Sequence, residues 1–128
     1  MAKKYTRQQV RERLLHQIDA GKPLLMFGAG IGLTAKCAEL GGADLIAVYS
    51  TAIYRMKGQH TLMAFLPYSN ANEHVAKMAI EILPAVKETP CIVGIGAHDP
   101  SLDMECFLDK MMDLGFSGVT NEPFAGIY

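Results

Sequence analysis

The chain has 128 residues, a formal net charge of −1 and a hydrophobic content of 50%. This length suits one domain with a substantial core, so a single domain over residues 1–128 is expected. A near-neutral charge offers no basic stripe for nucleic acid, and we expect no nucleic-acid partner. Apolar runs stay well below the ~20 residues of a membrane span, so neither membrane insertion nor a signal peptide is expected.

The three cysteines predict a reducing environment. Cys37, Cys91 and Cys106 are an odd number, lack the spacing of metal ligands and sit among apolar neighbours. Three buried, reduced thiols are therefore expected rather than a disulfide with one thiol left over. That expectation favours the cytoplasm as the location.

The first half of the chain alternates helical and strand patterns. Apolar residues at helical spacing predict a helix over residues 6–20, with Thr6 as a possible N-cap. An apolar run at 24–27 predicts a buried strand that enters a glycine-rich turn, and a short helix is expected over 33–40. A second buried strand is expected at 44–49. The polar connection from 50 to 69 is predicted to be a long loop.

The second half repeats the same order. Asn72 can cap a helix that runs to about Val86, with a kink or an early end at Pro84. A third buried strand is expected at 91–95, and either Asp99 or Ser101 caps the helix that follows. A fourth strand begins at 118–120, after Gly115 ends that helix.

Strands that alternate with helices predict an α/β fold with a parallel sheet, because right-handed crossovers join such strands. We expect half of a TIM (β/α)₈ barrel, since a closed barrel needs eight strands and ~250 residues. A small, complete four-stranded sheet is the alternative. The half barrel would be a truncated form or would be completed by dimerisation, because its edge strands need partners. A homo-oligomer is therefore expected.

Eight landmarks occur in one order along the chain, and together they resemble the phosphoenolpyruvate hydrolase-like family, also called TIM-barrel signal-transduction proteins. The landmarks are residues 28–32, 41–46, 49–50, 55–58, 66–67, 70–72, 99–100 and 115–121. The resemblance implies a TIM barrel akin to the phosphoenolpyruvate/pyruvate-binding superfamily. The resemblance does not identify catalytic residues in this chain. The turn at 121–126 resembles the family's Asn-x-Pro-x-x-Gly turn, although the family more often has an aromatic residue in place of Glu122.

Ligands of parallel α/β folds bind beyond the carboxyl ends of the strands, which selects residues 28–32, 49–60, 96–101 and 120–126. In the first of these segments, Gly28, Gly30 and Gly32 precede a helix whose free N–H groups favour anions. The motif is not a full GxGxxG, because Leu33 occupies the last glycine position. The glycines could equally make only a tight turn.

Polar side chains also follow the second strand. Tyr49, Ser50 and Arg55 are candidate substrate-binding residues, and Arg55 could hold a carboxylate or phosphate through two hydrogen bonds. The long connection could act as a lid over the site. A solvated arginine on a surface loop is the alternative.

The third and fourth strands end in further candidates. Asp99 could bind Mg²⁺ or act as a base with His98 as the acid, or Asp99 could merely cap the next helix. Asn121 and Glu122 could orient a substrate or complete a metal shell. We therefore take His98, Asp99 and Glu122 as candidate catalytic residues, Asp99 as the metal ligand and Asn121 as a binding residue.

These candidates and the resemblance predict a Mg²⁺-dependent hydrolase or lyase acting on a small anionic metabolite of the phosphoenolpyruvate/pyruvate type. In this hypothesis the glycines hold the anion, Arg55 neutralises it and Asp99 holds the metal. A non-catalytic signalling or protein-binding barrel is the alternative, with the Tyr54–Pro67 loop as its binding surface. An inactive fragment of the barrel is a third possibility.

Overall fold

The computed structural model describes residues 2–122. The five α-helices are α1 (Arg7–Asp19), α2 (Gly32–Leu40), α3 (Ser50–Met56), α4 (Ala71–Ala85) and α5 (Met104–Leu114). The four strands are β1 (Met26–Ala29), β2 (Leu45–Val48), β3 (Cys91–Ile95) and β4 (Gly118–Asn121), and a 3₁₀ turn spans Thr61–Phe65. Most of the sequence predicted as the turn at 121–126 lies outside the described residues.

The four strands form one parallel sheet in the order β1-β2-β3-β4. Each strand pairs with the next one along the chain, and helices fill the connections between them. This arrangement confirms the predicted α/β fold. Because all strands run the same way, their carboxyl ends meet at one edge of the sheet, which we call the rim.

The hydrophobic core lies between one face of the sheet and the helices α2, α4 and α5. Buried side chains of β2 and β3, such as Ile46, Val48 and Val93, pack there against Val75 of α4 and Met111 of α5. Side chains alternate along a strand, so the next residue of each strand points to the opposite face. That opposite face carries the site described below.

Local hydrogen bonds set the helix starts, and two of the predicted caps, Asn72 for α4 and Asp99 or Ser101 for α5, were wrong. Thr6 caps α1 in a reciprocal capping box with Gln9. Asn70, two residues before the predicted cap, accepts bonds from the backbone at the start of α4, which ends one residue after Pro84. The cap of α5 is Asp103, so the prediction that Asp99 or Ser101 caps it was wrong. Asp99 instead accepts hydrogen bonds from Asn70, Asn72 and Ser101.

Strand β1 and two of the cysteines are more exposed than predicted. The side chain of Met26 is 54% exposed, because β1 is one of the two edge strands of the sheet and pairs only with β2. Cys37 and Cys106 are also exposed, since both lie on outward faces of helices, while Cys91 is buried in β3. All three are free thiols. Burial, with a smaller contribution from Glu39, raises the pKa of Cys91 to about 12, so this thiol stays protonated.

The segment predicted as one long loop at 50–69 is partly helical. Helix α3 begins directly after β2, and the 3₁₀ turn follows it. Within residues 2–122, every helix lacks either the length or the apolar character needed to cross a bilayer.

Candidate functional site

Glu122 is the centre of the candidate site. It follows β4 at the rim, and its side chain is only 3% exposed. Its carboxylate accepts hydrogen bonds from the Ser50 N–H at 3.2 Å, from the Ser50 hydroxyl at 3.3 Å and from the Thr51 N–H at 3.4 Å. These bonds join β4 to the start of α3 across more than 70 residues of sequence. The first turn of α3 therefore supplies donors to a buried carboxylate.

The environment of Glu122 favours the protonated form of its carboxyl group more than water does. Burial raises the pKa of Glu122, and the donors at Ser50 and Thr51 offset only part of that increase. All three bonds are longer than the 2.7–2.9 Å that is usual for donors to a carboxylate. The carboxylate is therefore buried but weakly satisfied, which is a common state for groups that handle protons or bind cations.

Tyr49 covers the same part of the sheet. Its ring lies across Gly94 of β3 and approaches Gly28 of β1, and its hydroxyl lies 3.9 Å from the Met26 sulfur. A side chain at position 94 would overlap the Tyr49 ring and approach Glu122, so the site depends on glycine there. Burial, followed by the charge of Glu122, raises the pKa of Tyr49. The phenol stays protonated at neutral pH and can donate a hydrogen bond.

Asp99 has a different environment at the same rim. The Ser101 hydroxyl and N–H donate to its Oδ1 at 2.6 and 2.9 Å, while the side-chain amides of Asn70 and Asn72 donate to its Oδ2 at 3.0 and 3.2 Å. Chiefly because of the Ser101 hydroxyl, the pKa of Asp99 falls to about 2 despite the opposing effect of burial. Its donors hold the start of α4 against the loop after β3.

The glycine-rich turn after β1 is filled by the chain itself. The N–H of Gly32, at the start of α2, donates to the Glu81 carboxylate of α4 at 2.7 Å. Gly30 packs directly on the backbone of α3 at Ala52. The N–H group of Gly32, which we predicted to bind a ligand anion, thus already donates to a carboxylate of this chain. The close packing at Gly30 explains why the turn is rich in glycine.

The remaining predicted residues lie around this centre. Arg55 is exposed in the last turn of α3, and its Nε donates to the Thr61 hydroxyl at 3.0 Å. Asn121 accepts a bond from the Ala97 N–H at 3.4 Å, and His98 is half-buried in the loop after β3. Of the predicted set, the structure brings Gly28, Tyr49, Ser50 and Glu122 together, whereas Gly30, Arg55 and Asp99 each contact different partners.

Two residues of this cluster were absent from the sequence prediction. Thr51 contributes its backbone N–H, and a hydrogen bond from its side chain also lowers the pKa of Glu122. Gly94 lies inside an apolar strand, where an isolated glycine can mark the close approach of another group. That signal was present in the sequence.

A Mg²⁺ ion fits one of the two buried carboxylates. Within residues 2–122, no three His, Cys, Asp or Glu side chains gather as a metal-binding group. Protein Mg²⁺ sites often need only one or two carboxylates, with water and substrate as the other ligands. Glu122, with the Ser50 hydroxyl beside it, suits that role, whereas four donors already occupy the oxygens of Asp99.

The fold and this rim together define a partial TIM barrel of the α/β class, with a buried carboxylate where the ligands of such barrels bind. A sequence model described as phosphoenolpyruvate hydrolase-like matches residues 9–128. The chain belongs to that family, which confirms the resemblance inferred from its motifs.

Relatives with known sequences are much longer than this chain. It is 42% identical over 122 residues to the ToMV resistance protein Tm-1(GCR237) of Solanum lycopersicum, covering 95% of this chain and 16% of that protein. It is 35% identical over 107 residues to the putative transcriptional regulatory protein y4pA of Sinorhizobium fredii, covering 80% of this chain and 17% of that protein. The chain therefore spans about a sixth of the length of each.

Two solved structures share the fold. A phosphonopyruvate hydrolase, in complex with oxalate and Mg²⁺, superposes with a TM-score of 0.63 at 17% identity. A phosphoenolpyruvate phosphomutase from Streptomyces platensis subsp. rosaceus gives a TM-score of 0.60 at 20% identity. Each match covers 86% of this chain and 37% of the neighbour. This chain thus corresponds to part of a barrel.

Proposed function

We propose that this chain carries part of the active site of a Mg²⁺-dependent hydrolase or lyase acting on a small carboxylate of the pyruvate or phosphoenolpyruvate type. The observation that carries the proposal is the Glu122 carboxylate, which is buried at the rim and held by three long hydrogen bonds. The oxalate and Mg²⁺ bound to the phosphonopyruvate hydrolase support the same ligand class.

In this proposal the residues of the chain divide the work between binding and proton handling. Glu122, with the Ser50 hydroxyl, would hold the metal, which supplies charge stabilisation for an enolate-like oxygen. The N–H groups of Ser50 and Thr51 would hold the Glu122 carboxylate in position, because they donate to it. The protonated hydroxyl of Tyr49 would donate to the substrate from the same face of the sheet.

A titration of the chain with Mg²⁺ and oxalate tests this proposal. We expect isothermal calorimetry to detect oxalate binding that requires Mg²⁺, with amide shifts at Ser50 and Thr51 in NMR spectra. Glu122→Gln should weaken binding by about 100-fold, since an amide replaces the anionic metal ligand. Asp113→Asn is the matched control, because Asp113 is an exposed carboxylate on α5.

Two results would contradict the proposal. One is an absence of Mg²⁺-dependent oxalate binding to the wild-type chain, and the other is unchanged affinity in Glu122→Gln. If binding is seen, the release of pyruvate from phosphonopyruvate or phosphoenolpyruvate, coupled to lactate dehydrogenase, tests for turnover by the full-length protein.

A protein-binding role is the second candidate, and the connection between α3 and α4 favours it. Leu62 is 60% exposed and Tyr68 is 69% exposed, and Met56 and Leu66 are also exposed nearby. Contiguous exposed apolar residues often mark a protein interface. Cross-linking of cell extracts should give a defined partner that the double variant Leu62→Ser with Tyr68→Ser loses. If the wild-type chain and the double variant cross-link to the same partner, this surface is not the binding site.

A further inference from the structure

Three side chains form a hydrogen-bonded cluster beside the rim. The hydroxyl of Ser69, just before α4, lies 2.6 Å from Nε2 of His74 and 2.7 Å from the hydroxyl of Tyr54 on α3. The Tyr54 and His74 rings pack edge to face, with centroids 5.9 Å apart. All three residues are half-buried, so each keeps some contact with solvent. None of them takes part in the Glu122 site.

Capping of α4 does not explain this cluster. Asn70 already caps the helix, since its side-chain oxygen accepts from the N–H groups of Asn72 and Glu73. Ser69 is the residue before the cap, and its hydroxyl points to His74 and Tyr54. Its short bonds therefore serve another purpose than completing the helix.

One hydrogen arrangement satisfies all three groups. In this arrangement the imidazole hydrogen is on Nδ1, so that the Tyr54 hydroxyl can donate to Ser69 Oγ and the Ser69 hydroxyl can donate to His74 Nε2. A serine hydroxyl that donates to imidazole nitrogen is the arrangement that turns serine into a nucleophile. The Tyr54 hydroxyl, as a donor to Ser69 Oγ, stabilises negative charge on that oxygen.

Burial and two nearby lysines hold the pKa of His74 below its ordinary value. Burial lowers the pKa of His74, the charges of Lys77 and Lys57 lower it further, and Glu73 opposes them. A neutral imidazole can accept a proton at neutral pH, whereas an imidazolium cannot.

We propose that Ser69 is a nucleophile, with His74 as its general base, that takes the acyl group of small activated carboxylic esters. Ser69 Oγ forms a bond to the carbonyl carbon, and the bond from that carbon to the ester oxygen breaks. The serine proton moves to His74 Nε2 and then to the leaving alcohol or phenol. Water then attacks the carbonyl carbon and gives a proton to His74 Nε2; the bond from that carbon to Ser69 Oγ breaks, the carboxylic acid leaves, and His74 returns the proton to Ser69 Oγ. This activity is independent of the function proposed for Glu122.

Labelling with a fluorophosphonate probe tests the proposal on the wild-type chain. The phosphorus would bond to Ser69 Oγ as the phosphorus–fluorine bond breaks and fluoride leaves. We expect peptide mass spectrometry to place the adduct on Ser69, and His74→Ala to slow its formation by about 100-fold. Ser117→Ala should label at the wild-type rate, because its hydroxyl bonds the Tyr5 N–H at the opposite end of the sheet.

The pH dependence and an ester substrate complete the test. Labelling should slow as the pH falls through the pKa of His74, since the protonated ring cannot accept the serine proton. 4-Nitrophenyl acetate should give a burst of nitrophenol and an acetyl group on Ser69. A wild-type chain without a Ser69 adduct, or a His74→Ala variant that retains the circular dichroism spectrum of the wild type and labels equally fast, would overturn the proposal.

Discussion

Asp99 and Glu122 are both carboxylates at the rim, and they are almost equally hidden from solvent, at 5% and 3% exposure. Their hydrogen bonds differ. Four donors approach Asp99, the closest at 2.6 Å, whereas three donors approach Glu122 at 3.2 to 3.4 Å. As a result the pKa of Asp99 falls to about 2, while the pKa of Glu122 rises above its ordinary value.

The comparison shows that burial alone does not identify a reactive carboxylate. Asp99 is covered by its own donors, which fix two loops and leave little capacity for a ligand. Glu122 pays a desolvation cost that its donors only partly offset, so a cation or a proton would stabilise it. We therefore propose a structural role for Asp99 and a functional role for Glu122.

Replacing each carboxylate in turn is the strongest test of this comparison. Asp99→Ala should lower the free energy of unfolding by about 3 kcal/mol, because the donors from Asn70, Asn72 and Ser101 lose their acceptor. Glu122→Gln should change it by less than about 1 kcal/mol, since removing a poorly compensated buried charge offsets the weaker bonds. Urea unfolding followed by circular dichroism measures both.

Asp109→Asn is the control for these variants, because Asp109 is an exposed carboxylate in the middle of α5. Equal losses at Asp99 and Glu122 would contradict the division of roles, and so would a loss at Glu122 alone. Asp99→Asn should lie between wild type and Asp99→Ala, because its amide oxygen keeps some of the donors.

Two glycines beside Tyr49 sharpen the same comparison. A Cβ at position 94 would overlap the Tyr49 ring and lie 3.2 Å from a Glu122 oxygen, whereas a Cβ at position 28 would lie 3.8 Å from that ring. Gly94→Ala should therefore destabilise the fold by about 2 kcal/mol through overpacking, and it should shift the Ser50 amide signal. Gly28→Ala would add only an ordinary van der Waals contact, so it should neither destabilise the fold nor shift the Ser50 amide signal. Thermal unfolding and NMR spectra distinguish the two, and equal effects would show that Gly94 is not specially constrained.

The sequence was sufficient to predict the fold because apolar periodicity and the order of strands and helices are local signals. It also placed Tyr49, Ser50 and Glu122 at one rim, because parallel strands end at a common edge. The exposure of β1 could not be read from its residues, since the apolar run at 24–27 has the composition of a buried strand. Exposure depends instead on which neighbours pair with that strand.

The sequence could not separate the roles of the two carboxylates. The donors to Glu122 lie more than 70 residues away, and those to Asp99 include Asn70 and Asn72 from the preceding helix. Such contacts arise from the register of the sheet and the packing of α4. The Ser69–His74 pair was missed for a related reason: its members are five residues apart, and only the turn into α4 brings them together.

Stability as a function of pH should also differ between the two carboxylates, with smaller effects because protonation leaves the side chains in place. The folded-state pKa of Asp99 lies below its ordinary value of 3.8, so its contribution is present above pH 3.8 and is lost as the pH falls to about 2. The folded-state pKa of Glu122 lies above 4.5, so its contribution is present below pH 4.5 and is lost as the pH rises through the folded-state value.

Melting temperatures measured by circular dichroism from pH 2 upward test this difference. Asp99→Asn should flatten the loss of stability below pH 3.8, and Glu122→Gln should flatten the loss above pH 4.5. If Glu122→Gln instead removed stability only on the acid side, Glu122 would be a satisfied carboxylate like Asp99, and the reason for assigning it the functional role would be lost.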